Sequence, residues 1–308
     1  MNLNIVMLGP SGVGKTSLLA AMRKTMQQSP VGVEADLFFT ATAEVATKLD
    51  SKWNELASIK DSELFEPVSS SMEGTMEVEK YAFSIKSINK TLPVNIFDIR
   101  GGMVDDESRT RLAELLAKAR VIFHVVDAAA MMELPVHLAE RANSIGNICE
   151  LMSLLPKDDE VNVISILTKS ETYLKNEKQK KLLESTFRQQ FEPLQKILAR
   201  RKGTTHEAVA VKTLGCVFFS RLGPDDELIF VRNGVDVTPE GCDLPLTLAM
   251  HHLYEYAMAH RWFLEKWLDD FRAFINTEEN MGELFDKLKK ATDSSIRKSR
   301  DHVLDVSV

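Results

Sequence analysis

Residues 9–16 read Gly9-Pro10-Ser11-Gly12-Val13-Gly14-Lys15-Thr16, the G-x-x-x-x-G-K-[ST] pattern of a phosphate-binding loop. The run Leu3-Asn4-Ile5-Val6-Met7-Leu8 before it suits a buried strand, and Ser17 to Lys24 after it has helical composition. A strand, a glycine-bearing loop and a helix N-terminus together aim backbone N–H groups at an anion, because those donors lack intrahelical partners and the helix dipole favours negative charge there. Gly9, Pro10, Ser11, Gly12, Val13 and Gly14, with Lys15, Thr16 and Ser17, are therefore the expected phosphate site. Lys15 would reach the β- and γ-phosphates and serve catalysis by neutralising their charge, and the Thr16 hydroxyl would ligate Mg²⁺.

The bulk composition admits this reading and narrows its rivals. With 308 residues, 44% hydrophobic and 27% charged, the chain can bury a large core in the manner of an ordinary globular protein. A formal charge of −7 argues against nucleic acid as a partner, since phosphate-backbone binding shows as a basic excess. Cys149, Cys216 and Cys242 are widely spaced and lack metal-ligand spacing, as expected of reduced thiols in a cytoplasm. No stretch reaches the ~18 apolar residues that a membrane span needs, so a cytoplasmic protein is expected.

Further along, strand and helix patterns alternate. Residues 43–59 carry Val45, Ala46, Leu49, Trp53, Leu56 and Ala57 at helical spacing, and 60–74 are polar, so 30–74 reads as a helical and loop insertion. Tyr81, Phe83 and Ile85 alternate with polar neighbours, and Val94 to Phe97 completes an expected hairpin. The spacing then predicts a helix over 105–119, a strand over 121–126, a helix over 134–154 and a strand over 161–167. A long helix over 173–201, a strand over 209–219, a surface excursion over 221–243 and helical stripes to residue 300 follow. Apolar strands separated by helices imply an α/β fold, a mainly parallel sheet covered on both faces, with a C-terminal helical extension.

The second informative segment is Val94-Asn95-Ile96-Phe97-Asp98-Ile99-Arg100-Gly101-Gly102. An acidic residue ending an apolar strand places a carboxylate beside Mg²⁺ through water, which is the role expected of Asp98. Gly101, three residues on, allows its N–H to meet a γ-phosphate where a bulkier residue would block the approach. With these residues the sequence resembles the translation-factor-like and Ras-like class of P-loop GTPases. Its layout is similar to that of the bacterial double-GTPase proteins.

The resemblance implies a P-loop NTPase fold, with residues 1–276 as the GTPase-like domain and 277–308 as a helical tail. It implies GTP and Mg²⁺ as ligands and a protein partner or activator. A threonine ahead of the hairpin should add a hydroxyl to Mg²⁺; Thr75 matches best, with Thr40 and Thr42 as alternatives. The guanine-reading [NT]-K-x-D motif is matched by Thr168-Lys169-Ser170-Glu171 after a buried strand, with glutamate in place of aspartate. The same string also suits an ordinary strand-to-helix cap. The loop after the sixth strand, which offers a backbone N–H to the base, is matched by Phe218 to Gly223 and centres on Ser220.

Where Ras-like sequences place a water-orienting glutamine, this chain has Gly102. Slow hydrolysis is expected, or hydrolysis assisted by a partner or by Arg100, Arg109 or Arg111. The same arginines also suit a solvated surface, and His124 suits a packed core. Two other functions share the phosphate loop and Asp98: an ATPase or other P-loop phosphotransferase, and a non-hydrolysing nucleotide-dependent scaffold.

Overall fold

A computed structural model describes residues 3–26, 38–58, 78–86, 91–100, 106–155, 160–213, 217–222, 228–233, 238–259 and 281–305. The first half of the chain forms strand β1 (Leu3–Gly9), helix α1 (Lys15–Met26), β2 (Phe38–Ala41), α2 (Ala43–Ser58), β3 (Glu79–Lys86), β4 (Thr91–Arg100), α3 (Asp106–Lys118) and β5 (Val121–Asp127). Three short helices follow, α4 (Ala128–Glu133), α5 (Val136–Ala142) and α6 (Ile145–Ser153), and then β6 (Asn162–Thr168), α7 (Glu177–Gln190), α8 (Glu192–Ala199) and β7 (Thr205–Ala210). The last elements are β8 (Val217–Leu222), β9 (Leu228–Asn233), α9 (Leu244–Ala259), α10 (Met281–Lys298) and β10 (Val303–Leu304).

Eight strands make the main sheet in the order β10-β7-β6-β5-β1-β4-β3-β2. β7, β6, β5, β1 and β4 run parallel, while β3, β2 and β10 each pair antiparallel with an inner neighbour. The inner strands β5 and β6 are buried along their whole length, as a sheet covered on both faces requires. Ile5 and Met7 face Leu18, Leu19 and Met22 of α1 and Leu246 and Ala249 of α9. Val6 and Leu8 face the opposite core with Leu112 and Leu116 of α3 and Phe187 of α7. The α/β P-loop NTPase fold expected from the sequence is the one observed.

Several boundaries differ from the periodicity reading, each for a local reason. The helix expected over 134–154 is two helices, α5 and α6, with the short α4 before them: Pro135 offers no N–H to continue α4, and Ser144 takes a left-handed φ of 48° between α5 and α6. The helix expected over 173–201 starts only where the Asn176 side chain caps Gln179 N–H, and it breaks at Phe191 before Pro193. The strand expected over 209–219 is two. β7 ends at Ala210, and β8 pairs with β9 in a separate ribbon. The insertion over 30–74 adds an edge strand, β2, to the sheet, and the C-terminal tail adds β10 against β7. The polar segment 60–74 and the helical stripe beyond Ala259 as far as residue 280 lie outside the described residues.

One buried polar chain crosses the sheet. His124 Nδ1 lies 3.0 Å from Ser165 Oγ, which lies 2.9 Å from His206 Nε2, and Phe191 packs edge-on to the His124 ring. Burial, then the neighbouring His206, lowers the pKa of His124 to about 3, and burial lowers that of His206 to about 4. The unfolded histidines titrate near 6.5, so below that pH the unfolded chain binds protons that the fold refuses. Stability should be complete above pH 6.5 and should fall as pH drops toward 4, by at most about 1.4 kcal/mol per pH unit for each histidine. Urea unfolding at pH 7, 5.5 and 4.5 measures this slope, and His124→Gln should roughly halve it.

Candidate functional site

Because β1, β4, β5, β6 and β7 are parallel, their C-terminal ends share one edge of the sheet, and the chemically distinctive residues collect there. The loop after β1 turns sharply. Gly9 has φ +155°, and a Cβ on it would come within 2.7 Å of Val125 O on β5, so no side chain fits. Val13 is buried and pins the loop, while Ser11 and Gly12 are exposed at its tip. Leu18 N–H donates to Gly14 O at 2.8 Å and opens α1, whose first turn carries Lys15, Thr16 and Ser17. Lys15 Nζ bends back over the loop and donates to Gly9 O at 2.7 Å and Pro10 O at 3.2 Å.

Asp98 sits on β4 opposite Met7 of β1, and its Oδ1 is 3.5 Å from Lys15 Nζ. It has no solvent exposure, and among the described residues neither carboxylate oxygen accepts a hydrogen bond. Burial raises its pKa to about 6, opposed by the charge of Lys15. A buried carboxylate with open acceptor positions is the kind of donor a hard cation takes, so Asp98 fits Mg²⁺.

On the other side of the loop, β6 ends at Thr168 and Lys169-Ser170-Glu171 follow, all four buried. The Thr168 hydroxyl lies 2.5 Å from Val13 O and 3.0 Å from Val126 O, and its single proton serves one of them at a time. Lys169 adopts a left-handed backbone, φ 56°, which costs a non-glycine residue strain of order 1 kcal/mol. In that conformation its Nζ donates to Gly12 O at 3.0 Å and pairs with Asp127, so the β6 end is tied directly to the phosphate loop. Glu171 Oε1 accepts Thr213 N–H at 3.1 Å, placing its carboxyl against the chain just beyond β7.

Solved structures similar to this chain include the GTPase-like domain of Ski7 from S. cerevisiae, in one structure bound to GTP and in another to GDP and inorganic phosphate. Identity is 14% and 15% and the TM-score is 0.41 for both, over 69% and 74% of this chain. This chain spans 43% and 46% of those two chains. A Plasmodium falciparum protein described as nucleolar GTP-binding protein 1 matches at 12% identity and TM-score 0.40, over 88% of this chain and 96% of its own. No family model matches the sequence, and no curated protein does.

The edge thus brings together the loop from Gly9 to Ser17, Asp98, Thr168, Lys169 and Glu171. Arg100 ends β4 and Arg109 lies in α3, while Thr75, Gly101 and Gly102 lie outside the described residues. Ser220 is not in the loop after the sixth strand of the expected order. It belongs to β8 in the separate ribbon, and the residues that follow β7 are Val211, Lys212 and Thr213. The displacement arises because the run 209–219 divides between β7 of the main sheet and β8 of the two-stranded ribbon.

Asp127 was not singled out from the sequence. It ends the apolar strand Val121 to Asp127, and that signal was available. One of its oxygens caps α4 by accepting Ala130 N–H at 2.9 Å, and the other pairs with Lys169. Asp127→Asn keeps a capping oxygen and removes the charge that compensates Lys169. Breaking a buried pair in this way costs about 3 to 5 kcal/mol. The variant should lose stability on that scale in chemical denaturation, whereas a role limited to capping would leave stability within about 1 kcal/mol of the parent.

Proposed function

We propose that this chain is a Mg²⁺-dependent GTP-binding protein that hydrolyses GTP slowly to GDP and phosphate and acts as a regulatory switch read by a protein partner. The observation that carries the proposal is the buried Asp98 carboxylate facing Lys15 across a glycine-formed loop that Thr168 and Lys169 hold from the base side. Mg²⁺, when bound, neutralises phosphate charge and polarises the γ-phosphoryl group. Lys15 exchanges the carbonyls of Gly9 and Pro10 for phosphate oxygens, the loop N–H groups from Gly9 to Ser17 take the rest, and the Thr16 hydroxyl and Asp98, through water, hold the cation. Thr75 would add a second hydroxyl and Gly101 an N–H at the γ-phosphate, so that ordering of both segments depends on the nucleotide state.

On the base side, the Lys169 stem offers an apolar face to a purine and Glu171 offers the carboxylate acceptor that guanine N1–H and N2–H require. The nearby backbone after β7 takes the place expected of Ser220. We assign the nucleotide-binding unit to residues 1–276, with 277–308 as an appended tail whose β10 docks on the sheet. Among the described residues no helix is long and apolar enough to cross a membrane.

Titration of the purified protein with fluorescent GTP, GDP and ATP in Mg²⁺ tests the ligand. GTP should outcompete ATP, and Glu171→Ala should erode that preference by about tenfold, the scale of an unmet buried donor. Equal affinity for ATP and GTP would replace the guanine reading with the ATPase one.

With Gly102 in place of a water-orienting glutamine, phosphate release from the isolated protein should be slow. A partner supplying an arginine or a water-orienting group could accelerate it by about 10³ to 10⁵. Rapid intrinsic turnover that survives alanine at both Arg100 and Arg109 would contradict that assignment.

A further inference from the structure

The residues that follow β7 form the wall against which Glu171 is set, and the C-terminal tail braces that wall. Val211 N–H donates to Leu167 O at 2.9 Å, and Thr213 N–H donates to Glu171 Oε1 at 3.1 Å. Between them Lys212 exchanges two backbone hydrogen bonds with Glu240, at 3.0 and 2.8 Å, and its Nζ lies 2.7 Å from Glu240 Oε2. The two residues after Glu240 carry the bracing. Cys242 Sγ donates to Lys212 O at 3.3 Å. Gly241, at φ +71°, lies against the ring of His302, where a Cβ would come within 2.6 Å of Nδ1. His302 directly precedes β10, whose Val303 and Leu304 pair with Val209 and Ala208 of β7.

A carbonyl oxygen can only accept, so the 2.8 Å contact between His302 Nδ1 and Ala210 O fixes the imidazole proton on Nδ1. Ala210 is the last residue of β7, three residues before Thr213. The imidazole therefore ties the end of β7 to the Gly241 turn, and the Glu240 bridge carries that tie to the residue before Thr213. Helix α10 adds a second tie, with Ser295 Oγ donating to Asp243 Oδ2 at 3.3 Å. We propose that His302 and the turn from Glu240 to Cys242 form a clamp, supplied by the tail, that positions the Thr213 N–H and through it the Glu171 carboxylate. The tail is then a determinant of base specificity. The inference rests on the guanine reading proposed above and deepens it. A carboxylate meets two donors on one base edge only at a fixed angle and reach, and glutamate has one more rotatable bond than aspartate. Its orientation has to be imposed by a neighbour, and the Thr213 N–H supplies that constraint.

Displacement of fluorescent GTP from the full chain by unlabelled GTP and by ATP tests the clamp, since both nucleotides use the phosphate loop and only guanine needs the Glu171 acceptor. His302→Ala should lower the preference for GTP over ATP about 3- to 5-fold, less than loss of the acceptor itself, and leave ATP affinity unchanged. Gly241→Ala, whose methyl meets the His302 ring, should act in the same direction. His302→Asn, whose amide N–H can donate where Nδ1–H does, should keep most of the preference. In a Glu171→Ala background His302→Ala should add nothing, whereas a purely structural role would persist there. Equal losses for GTP and ATP, an unchanged ratio in both His302→Ala and Gly241→Ala, or a full His302→Ala effect without Glu171 overturns the clamp. A wild type that binds ATP as tightly as GTP overturns the guanine reading itself, and that failure shows before any variant is made.

Discussion

The ammonium of Lys169, held between the Asp127 carboxylate and the carbonyl of Gly12, is the contact on which the geometry of the whole edge depends. Three segments distant in sequence meet in it: the end of β5, the end of β6 and the tip of the phosphate loop. A buried charge is tolerated only when it is paired and its remaining donors are satisfied, so the three segments hold their relative positions or pay heavily in desolvation. The left-handed φ of Lys169 is one local cost of this arrangement, and Thr168 reinforces it by bonding the loop at Val13. A glycine-rich loop has many backbone states, and this tie on its base side selects the one whose N–H groups converge.

Asp98 shows the opposite economy. Its carboxylate is fully buried, its pKa is raised to about 6, and the nearest cation, Lys15, is also engaged by two loop carbonyls. The fold therefore carries an unfavourable burial at Asp98. Strain and incomplete satisfaction concentrated at a binding edge are the expected form of a site whose stabilisation comes from its ligand.

The inserted segment belongs to this electrostatic arrangement and is more than a surface decoration. It contributes β2 to the sheet edge and, through Lys48 and Arg23–Asp50, links α2 both to α1 and to the rim facing Asp98.

Much of this was legible in the chain itself. Gly9, Gly12 and Gly14 announce backbone conformations that other residues resist, Lys15 and Thr16 follow at the spacing a helix start imposes, and Asp98 follows an apolar run. Period-two and apolar runs sufficed for strands β1, β3, β4, β5 and β6. Other features were hidden because one local string supports two structures. Val209 to Phe219 reads as one strand yet divides between two sheets, and Ser220 goes with the second half into the β8–β9 ribbon. Asp127, not singled out from the sequence, both caps α4 and pairs with Lys169. The sequence alone determined the strand–loop–helix unit and its chemistry, because backbone sterics and hydrogen-bonding capacity act over a few residues. Only the tertiary structure decided which carboxylate compensates Lys169, what Glu171 touches and that Lys48 of the inserted segment pairs with Glu79. Those pairings depend on strand order and register, which are set by packing between segments far apart in the chain.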